Sequence, residues 1–154
     1  MDIASKLEEL GFSLPQVAAP AANYVPYVIS GNMVFVSGQI PFLNGQEMHL
    51  GCVGKNLTAE QGVEAAQVCA LNILAQVNEA VGGDFSRVKR CVKLGGFVNC
   101  TPEFTNQPLV INGASNLIAD ALGDAGKHAR FAVGAPSLPL GVAVEIDAIF
   151  ELDV

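Results

Sequence analysis

Two long segments with helical hydrophobic spacing, each lying between segments typical of β-strands, constrain the fold of this chain more than any other feature. The first begins at Thr58-Ala-Glu-Gln61, which has the form of a capping box, and ends at Gly82-Gly83. The second runs from Leu109 to Leu122 and ends at Gly123. Connections of the β-α-β kind are right-handed. If successive strands add outward, both helices therefore pack on one face of a single sheet.

Shorter patterns predict the strands and one further helix. Residues 24–30 and 33–40 are typical of strands and flank Gly31-Asn32, a dipeptide that tolerates the positive φ of a hairpin turn. Three more strands are predicted over residues 88–99, 128–133 and 141–152, and a short N-terminal helix over residues 2–10. The expected architecture is therefore α+β, with a single mixed β-sheet, two long helices on one face and a short N-terminal helix.

The last predicted strand separates its side chains into two faces. Alternate positions from Val142 to Leu152 are apolar, whereas Glu145 lies among the side chains of the other face. If the last two strands form a hairpin that bends at residues 136–139, Arg130 lies opposite Glu145 on the face away from the helices. One interpretation is an exposed ion pair, worth less than about 1 kcal/mol. The other is a site in which the guanidinium binds a carboxylate ligand and the glutamate moves protons.

Composition indicates one domain that associates with copies of itself. The chain has 154 residues, of which 51% are hydrophobic, and this is enough to form one full core. Residues 1–22 are predicted to form the N-terminal helix and a proline-rich arm, and residues 23–154 the main domain. Only 15% of the residues are charged, so we expect other subunits to cover part of the apolar surface. A homo-oligomer is therefore predicted.

Charge and cysteine spacing argue against several classes of partner. Eight Lys and Arg residues face fifteen Asp and Glu residues, and the net charge of −7 does not suit a nucleic-acid-binding protein. The four cysteines have no CxxC spacing and the chain has two histidines, so no metal site is expected. The sequence shows neither a signal peptide nor a stretch typical of a membrane span, and the expected location is the cytoplasm.

The segments 31–41 and 130–146 carry a recognisable combination of motifs. They are Gly31-Asn32-Met-Val-Phe-Val-Ser37-Gly38-Gln39-Ile-Pro41 and Arg130-Phe-Ala-Val, with Leu138, followed by Val144-Glu145-Ile146. This combination resembles the RidA/YjgF family, also called the L-PSP endoribonuclease family, and the similarity in element order covers about residues 20–152. The resemblance implies a chorismate-mutase-like subunit, assembled as a homotrimer with clefts between subunits.

The same resemblance implies an activity and the residues that perform it. The activity is that of a 2-iminobutanoate/2-iminopropanoate deaminase, which hydrolyses reactive enamines and imines such as 2-aminoacrylate to 2-keto acids and ammonia without a metal or cofactor. Arg130 matches the family arginine that holds the substrate carboxylate, and Glu145 matches the glutamate that orients the hydrolytic water. Asn112 matches less closely, because the intervening segment differs in length. The implied substrate-binding residues are Tyr24, Ser37, Gly38 and Asn112.

Two other functions stay open. A non-catalytic trimer that binds small carboxylates would need Arg130 but not Glu145. An endoribonuclease, which the older family name implies, fits poorly with the acidic composition and the lack of paired histidines. The sequence also departs from the family pattern, with His128 where Pro or Ala is usual, Ala132 in place of a cysteine of some relatives, and Pro136 at a usually small or basic position. These departures indicate a divergent subfamily.

Overall fold

A computed structural model describes residues 2–17 and 23–153. Its two long helices and five longer strands agree in order with the sequence-based prediction, and a short hairpin, β3–β4, was not predicted. In chain order the elements are α1 (Ile3–Glu9), β1 (Tyr27–Ser30), β2 (Met33–Gln39), β3 (Phe42–Leu43), β4 (Gln46–Glu47), α2 (Ala59–Ala80), β5 (Val88–Asn99), α3 (Gln107–Leu122), β6 (Ala129–Ala135) and β7 (Val144–Leu152).

The main sheet has five strands in the order β1-β2-β7-β5-β6. β5 and β6 are parallel and the other neighbouring pairs are antiparallel, so the sheet is mixed, as predicted. α2 packs over β2 and β7, α3 packs over β5 and β6, and the two helices also pack on each other. The α+β architecture with a mixed sheet and two long helices on one face is therefore confirmed.

Local sequence explains where the first long helix begins. The backbone N–H of Gln61 donates to Thr58 Oγ1 at 3.2 Å, and the backbone N–H of Thr58 donates to Gln61 Oε1 at 2.9 Å. The predicted capping box is therefore present, and it satisfies two donors that the first turn leaves without intrahelical partners. α2 then contributes a buried face to the core.

The strand β7 alternates as its sequence predicts. Val144, Ile146, Ala148 and Phe150 are buried against the helices, whereas Glu145 lies on the opposite face and is partly exposed. The helix side of the sheet therefore holds the hydrophobic core, and the other side stays open in the single chain. The large exposed side chains of β1, β2, β5 and β6 include Val28, Phe35, Phe97 and Val133.

The predicted hairpin between the last two strands is wrong. β6 and β7 do not pair with each other, because the twelve-residue strand β5 lies between them and pairs with both. Arg130 lies opposite Leu94 of β5, and Glu145 lies opposite Phe97 on the other edge of the same strand. The symmetry of the two residues about the intervening bend therefore carries no information about their distance.

The N-terminal helix belongs to the packed core. Ile3 and Leu7 are buried there, and the side chain of Asp2 caps the helix by accepting from the backbone N–H of Ser5 at 2.9 Å. The predicted proline-rich arm falls partly on residues 18–22, which lie outside the described residues.

Candidate functional site

Glu145 lies on the open face of the sheet at the start of β7, where β2 approaches it closely. The pairing of β2 with β7 shifts between Val36 and Gln39, and Gly38 lies within this irregularity. A Cβ atom added at Gly38 would overlap the carboxylate of Glu145. The absence of a side chain at residue 38 therefore makes the space that the carboxyl group of Glu145 occupies.

The surroundings of Glu145 favour its protonated form. Partial burial raises the pKa of the Glu145 carboxyl group, and the negative charge of Asp147, two residues along the same strand face, raises it further. A carboxyl group with a raised pKa accepts and releases protons nearer to neutral pH than an exposed glutamate does. This property suits a residue that activates or orients a water molecule.

Ser37 fixes the segment before β1 against the end of β2. Its backbone N–H donates to the carbonyl of Pro26 at 2.9 Å, and its Oγ donates to the carbonyl of Val25 at 2.9 Å. Tyr24 precedes this attachment directly and is 49% exposed. The structure therefore places Ser37, Gly38 and Glu145, three of the six predicted site residues, around the junction of β2 and β7, and Tyr24 next to the segment that pairs with the β1 side of β2.

Arg130 lies on the other face of the sheet. Its Nη1 donates to Ser115 Oγ at 3.1 Å and its Nη2 to the carbonyl of Pro108 at 3.4 Å, and both acceptors belong to α3. The prediction that Arg130 and Glu145 share a face away from the helices is therefore wrong. They are offset by three positions along β5 and separated by that strand, which amounts to about 10 Å in each direction.

The charge of Arg130 has no carboxylate partner among the described residues. The ion pairs within residues 2–17 and 23–153 involve other side chains, and both hydrogen-bond acceptors of the guanidinium are neutral oxygens. The chain also concentrates positive charge at this end of β5 and β6. Six of its eight Lys and Arg residues lie there, namely Arg87, Lys89, Arg90, Lys93, Lys127 and Arg130. Two of these cations, Lys89 and Lys127, are paired with Glu151 and Asp124, whereas the guanidinium of Arg130 has no such partner and is suited to bind an anion.

The helix α3 meets Arg130 through a residue that the sequence did not single out. Ser115 contacts the guanidinium, whereas Asn112, on the preceding turn, lines a groove against Val63 and Gln67 of α2. His128 also contacts Ser115, with 2.9 Å between Nε2 and Oγ. A serine in the middle of a helix carries no local sequence signal of such a role, so only the fold brings these side chains together.

A separate groove of about 450 Å³ lies at the carboxyl ends of β5 and β6. Its walls include Cys52, Cys100, Gln107 and Gly134, and none of the predicted site residues lines it. Gln107 Nε2 lies 3.5 Å from Cys100 Sγ and donates to the carbonyl of Phe104 at 2.9 Å. The four cysteines are free thiols.

The described residues offer no alternative site that a metal would organise. No group of three or more His, Cys, Asp or Glu side chains within them is arranged to hold a metal ion. In the same part of the chain, none of the helices combines the length and apolar character needed to cross a bilayer.

This architecture defines the class of chorismate-mutase-like α+β proteins. Its features are the mixed sheet, the two helices on one face, and the guanidinium and carboxyl groups that the sheet positions. A family model described as "YjgF/chorismate mutase-like, putative endoribonuclease" matches residues 4–152. The chain belongs to this family, and the resemblance seen in the sequence is confirmed.

Individual relatives are similar over nearly their whole length. Protein TCP17 of Trypanosoma cruzi is 49% identical over 152 residues, which are 98% of this chain and 94% of that protein. The crystal structure of Atu1372 from Agrobacterium tumefaciens is 54% identical, with a TM-score of 0.93 over 98% of this chain and 92% of that one. A structure from Shewanella oneidensis is 34% identical, with a TM-score of 0.94 over 99% and 100% of the two chains.

Proposed function

We propose that this protein hydrolyses reactive enamines and imines of the 2-aminoacrylate type to 2-keto acids and ammonia. The observation that carries the proposal is the Arg130 guanidinium, which is held by two neutral oxygens and has no carboxylate partner among the described residues. A guanidinium in this state binds the carboxylate of a small organic acid through paired hydrogen bonds. Carboxylate binding is the first requirement of the proposed reaction.

The chemistry needs positioning more than it needs a strong nucleophile. An enamine tautomerises to an imine, water adds to the electrophilic imine carbon, and the resulting carbinolamine loses ammonia to give the keto acid. Arg130 fixes the carboxylate, and Glu145 orients the water and accepts its proton. The raised pKa of Glu145 supports the second role, because the carboxyl group then exchanges protons nearer to neutral pH than an exposed glutamate does.

The reaction requires more than one chain. The side chains of Arg130 and Glu145 lie on opposite faces of one sheet, and β5 lies between their strands. A small ligand therefore cannot contact both within one subunit. β6 is an edge strand, and the open face carries large exposed apolar side chains such as Phe35 and Phe97. We therefore include a homotrimer in the proposal, with clefts in which Arg130 of one subunit meets Glu145 of another.

One structural relative supports a carboxylate ligand. The crystal structure of E. coli TdcF, described with bound serine, is 25% identical to this chain and has a TM-score of 0.62 over 91% of this chain and 94% of that one. Serine carries a carboxylate next to an amino-bearing carbon, as the proposed imine substrate carries one next to its nitrogen-bearing carbon. A small amino-acid-like ligand thus agrees with the chemistry of Arg130.

The direct test supplies the unstable substrate in the assay. An amino-acid dehydratase generates 2-aminoacrylate from serine, and the loss of the imine or the release of the keto acid is followed with and without this protein. We expect acceleration by the wild-type protein and its loss in Arg130→Ala and Glu145→Gln. The control is Lys55→Ala. It changes an exposed cation in the turn before α2, away from the cations near Arg130. No acceleration with any 2-imino acid would contradict the proposal.

A second candidate is a trimer that binds small carboxylates without turning them over. The separation of Arg130 from Glu145 favours it, because binding needs only the guanidinium. It predicts that a 2-keto acid raises the melting temperature of the wild-type protein and of Glu145→Gln equally. Binding without any turnover would select this function over the deaminase.

A further inference from the structure

A chain of hydrogen bonds connects Arg130 to a histidine through one hydroxyl group. His128 Nδ1 lies 2.6 Å from the carbonyl oxygen of Gly126, and His128 Nε2 lies 2.9 Å from Ser115 Oγ. Ser115 Oγ in turn accepts from Arg130 Nη1 at 3.1 Å. The serine hydroxyl therefore lies between an imidazole and the guanidinium that the proposed function assigns to ligand binding.

Counting donors and acceptors shows how this series of hydrogen bonds responds to a proton. A carbonyl oxygen only accepts, so Nδ1 of His128 must carry a hydrogen. In a neutral imidazole Nε2 then accepts, and the single hydroxyl proton of Ser115 is directed to it. In a protonated imidazole Nε2 donates, Ser115 Oγ accepts from both neighbours, and its own proton becomes available to a third group.

We propose that Ser115 is a ligand-binding residue of the Arg130 site, and that protonation of His128 determines whether its hydroxyl donates to the bound carboxylate. The inference rests on the proposed function, because it requires a carboxylate at Arg130. It adds a binding residue on α3 and a positioning residue, His128, at which this chain departs from the family pattern. The consequence is that the affinity for small carboxylates rises as the pH falls through the range in which imidazoles gain a proton.

The charged groups around His128 are mostly cations. Arg130 is two residues further along the chain, at the start of β6, and Lys127 and Asp124 precede His128 and form an exposed ion pair with each other at 2.9 Å. Arg90 of β5 donates to the carbonyl of Lys127 at 3.1 Å. A bound anion stabilises the protonated form of His128, and by linkage the protonated form stabilises the bound anion.

The helix that carries Ser115 adds no competing charge at this point. Asp120 is its one titratable side chain, and it lines grooves on the side of α1, together with Lys6 and Phe12. His128 is therefore the group through which proton binding is expected to reach Ser115.

The test measures the binding of pyruvate to the full-length protein by calorimetry from about pH 5.5 to about pH 8, the range over which imidazoles titrate. We expect the wild-type affinity to be about three- to tenfold higher at the acidic end, which is the contribution of one hydrogen bond. Ser115→Ala and His128→Asn should bind at every pH with about the wild-type affinity measured at the alkaline end. His49→Asn changes the other histidine, which is paired with Glu64 at 2.7 Å, and should keep the wild-type pH dependence.

A second readout separates a direct role from a structural one. In NMR spectra of the wild-type protein, pyruvate should change the ring resonances of His128, and in Ser115→Ala this change should be largely lost. If pyruvate binds the wild-type protein with the same affinity across the range, or if Ser115→Ala keeps the full pH dependence, the inference is overturned while the proposed function stands. If pyruvate does not bind at any pH and no imine is hydrolysed, both fall.

Discussion

Gly38 of β2 leaves room for Glu145 of β7, because the carboxyl group of Glu145 lies where a side chain of residue 38 would begin. Gly38→Ala should therefore displace the carboxyl group while leaving the fold intact, since the group to be moved is the flexible end of a side chain. A displacement of this size should lower the rate of imine hydrolysis by about 100-fold. Steady-state kinetics and thermal unfolding of the same preparation check this, and a variant with full activity would contradict a catalytic role for this carboxyl group.

Mixing two inactive variants tests whether one site is formed by two chains. Arg130→Ala and Glu145→Gln should each be inactive, but their co-assembly after mild denaturation and refolding should restore up to about a quarter of the wild-type activity. The reason is that random assembly places an intact Arg130 beside an intact Glu145 in a fraction of the clefts. Each variant refolded alone is the control, and an inactive mixture with confirmed exchange of subunits would place both residues of a site in one chain.

The pH dependence of the reaction should report Glu145. Burial and Asp147 raise its pKa, and the proposed role needs the ionised form, so kcat/KM should rise with pH over a limb that lies above the range of ordinary glutamates. Asp147→Asn removes the negative neighbour and should move this limb to lower pH. An unmoved limb in this variant would mean that another group controls the rate.

The same raised pKa affects stability. A carboxyl group with a higher pKa in the folded state holds its proton more tightly there, so stability falls as the pH rises from the unfolded pKa through the folded pKa. Glu145→Gln should therefore have a higher melting temperature than the wild type at neutral pH, and the difference should vanish at a pH where the glutamate is protonated in both states. Differential scanning calorimetry at both pH values measures this, and an equal difference at the two values would contradict it.

A close contact between the two long helices should be sensitive to a single methyl group. A Cβ atom added at Gly113 of α3 would overlap the carbonyl oxygen of Val63 on α2. Gly113→Ala should therefore lower the free energy of unfolding by about 1–3 kcal/mol, although alanine favours helices more than glycine does. Asn116→Ala, at an exposed position of the same helix, should change it by less than about 0.5 kcal/mol. Chemical denaturation of both variants provides the comparison.

The parts of the fold that sequence predicted are those set by local periodicity and by turn or cap residues. The capping box at Thr58, the hairpin turn at Gly31-Asn32 and the two faces of β7 are all present in the structure. The pairing of β6 with β7 was predicted wrongly, because adjacency in sequence does not reveal that a third strand inserts between two others. The inserted strand is β5, which pairs in parallel with β6 on one edge and antiparallel with β7 on the other.

The candidate site shows the same division. Ser37, Gly38 and Glu145 could be selected from motifs, and the structure places them together. The partners of Arg130 could not, because a hydroxyl in the middle of α3 and a main-chain carbonyl leave no pattern in the sequence. The face on which Arg130 lies follows from its register with Leu94, a long-range property of the sheet.

The strand β7 follows every other strand in the chain, yet it lies at the centre of the sheet, between β2 and β5. During synthesis on the ribosome, the hairpin β1–β2 and the unit formed by β5, α3 and β6 emerge as two separate pieces with unmatched edges. Their strands can join into one sheet only when residues 144–152 have left the exit tunnel. The nascent chain therefore depends on its last strand, and chaperones that shield exposed edges have their greatest opportunity to act before that strand arrives.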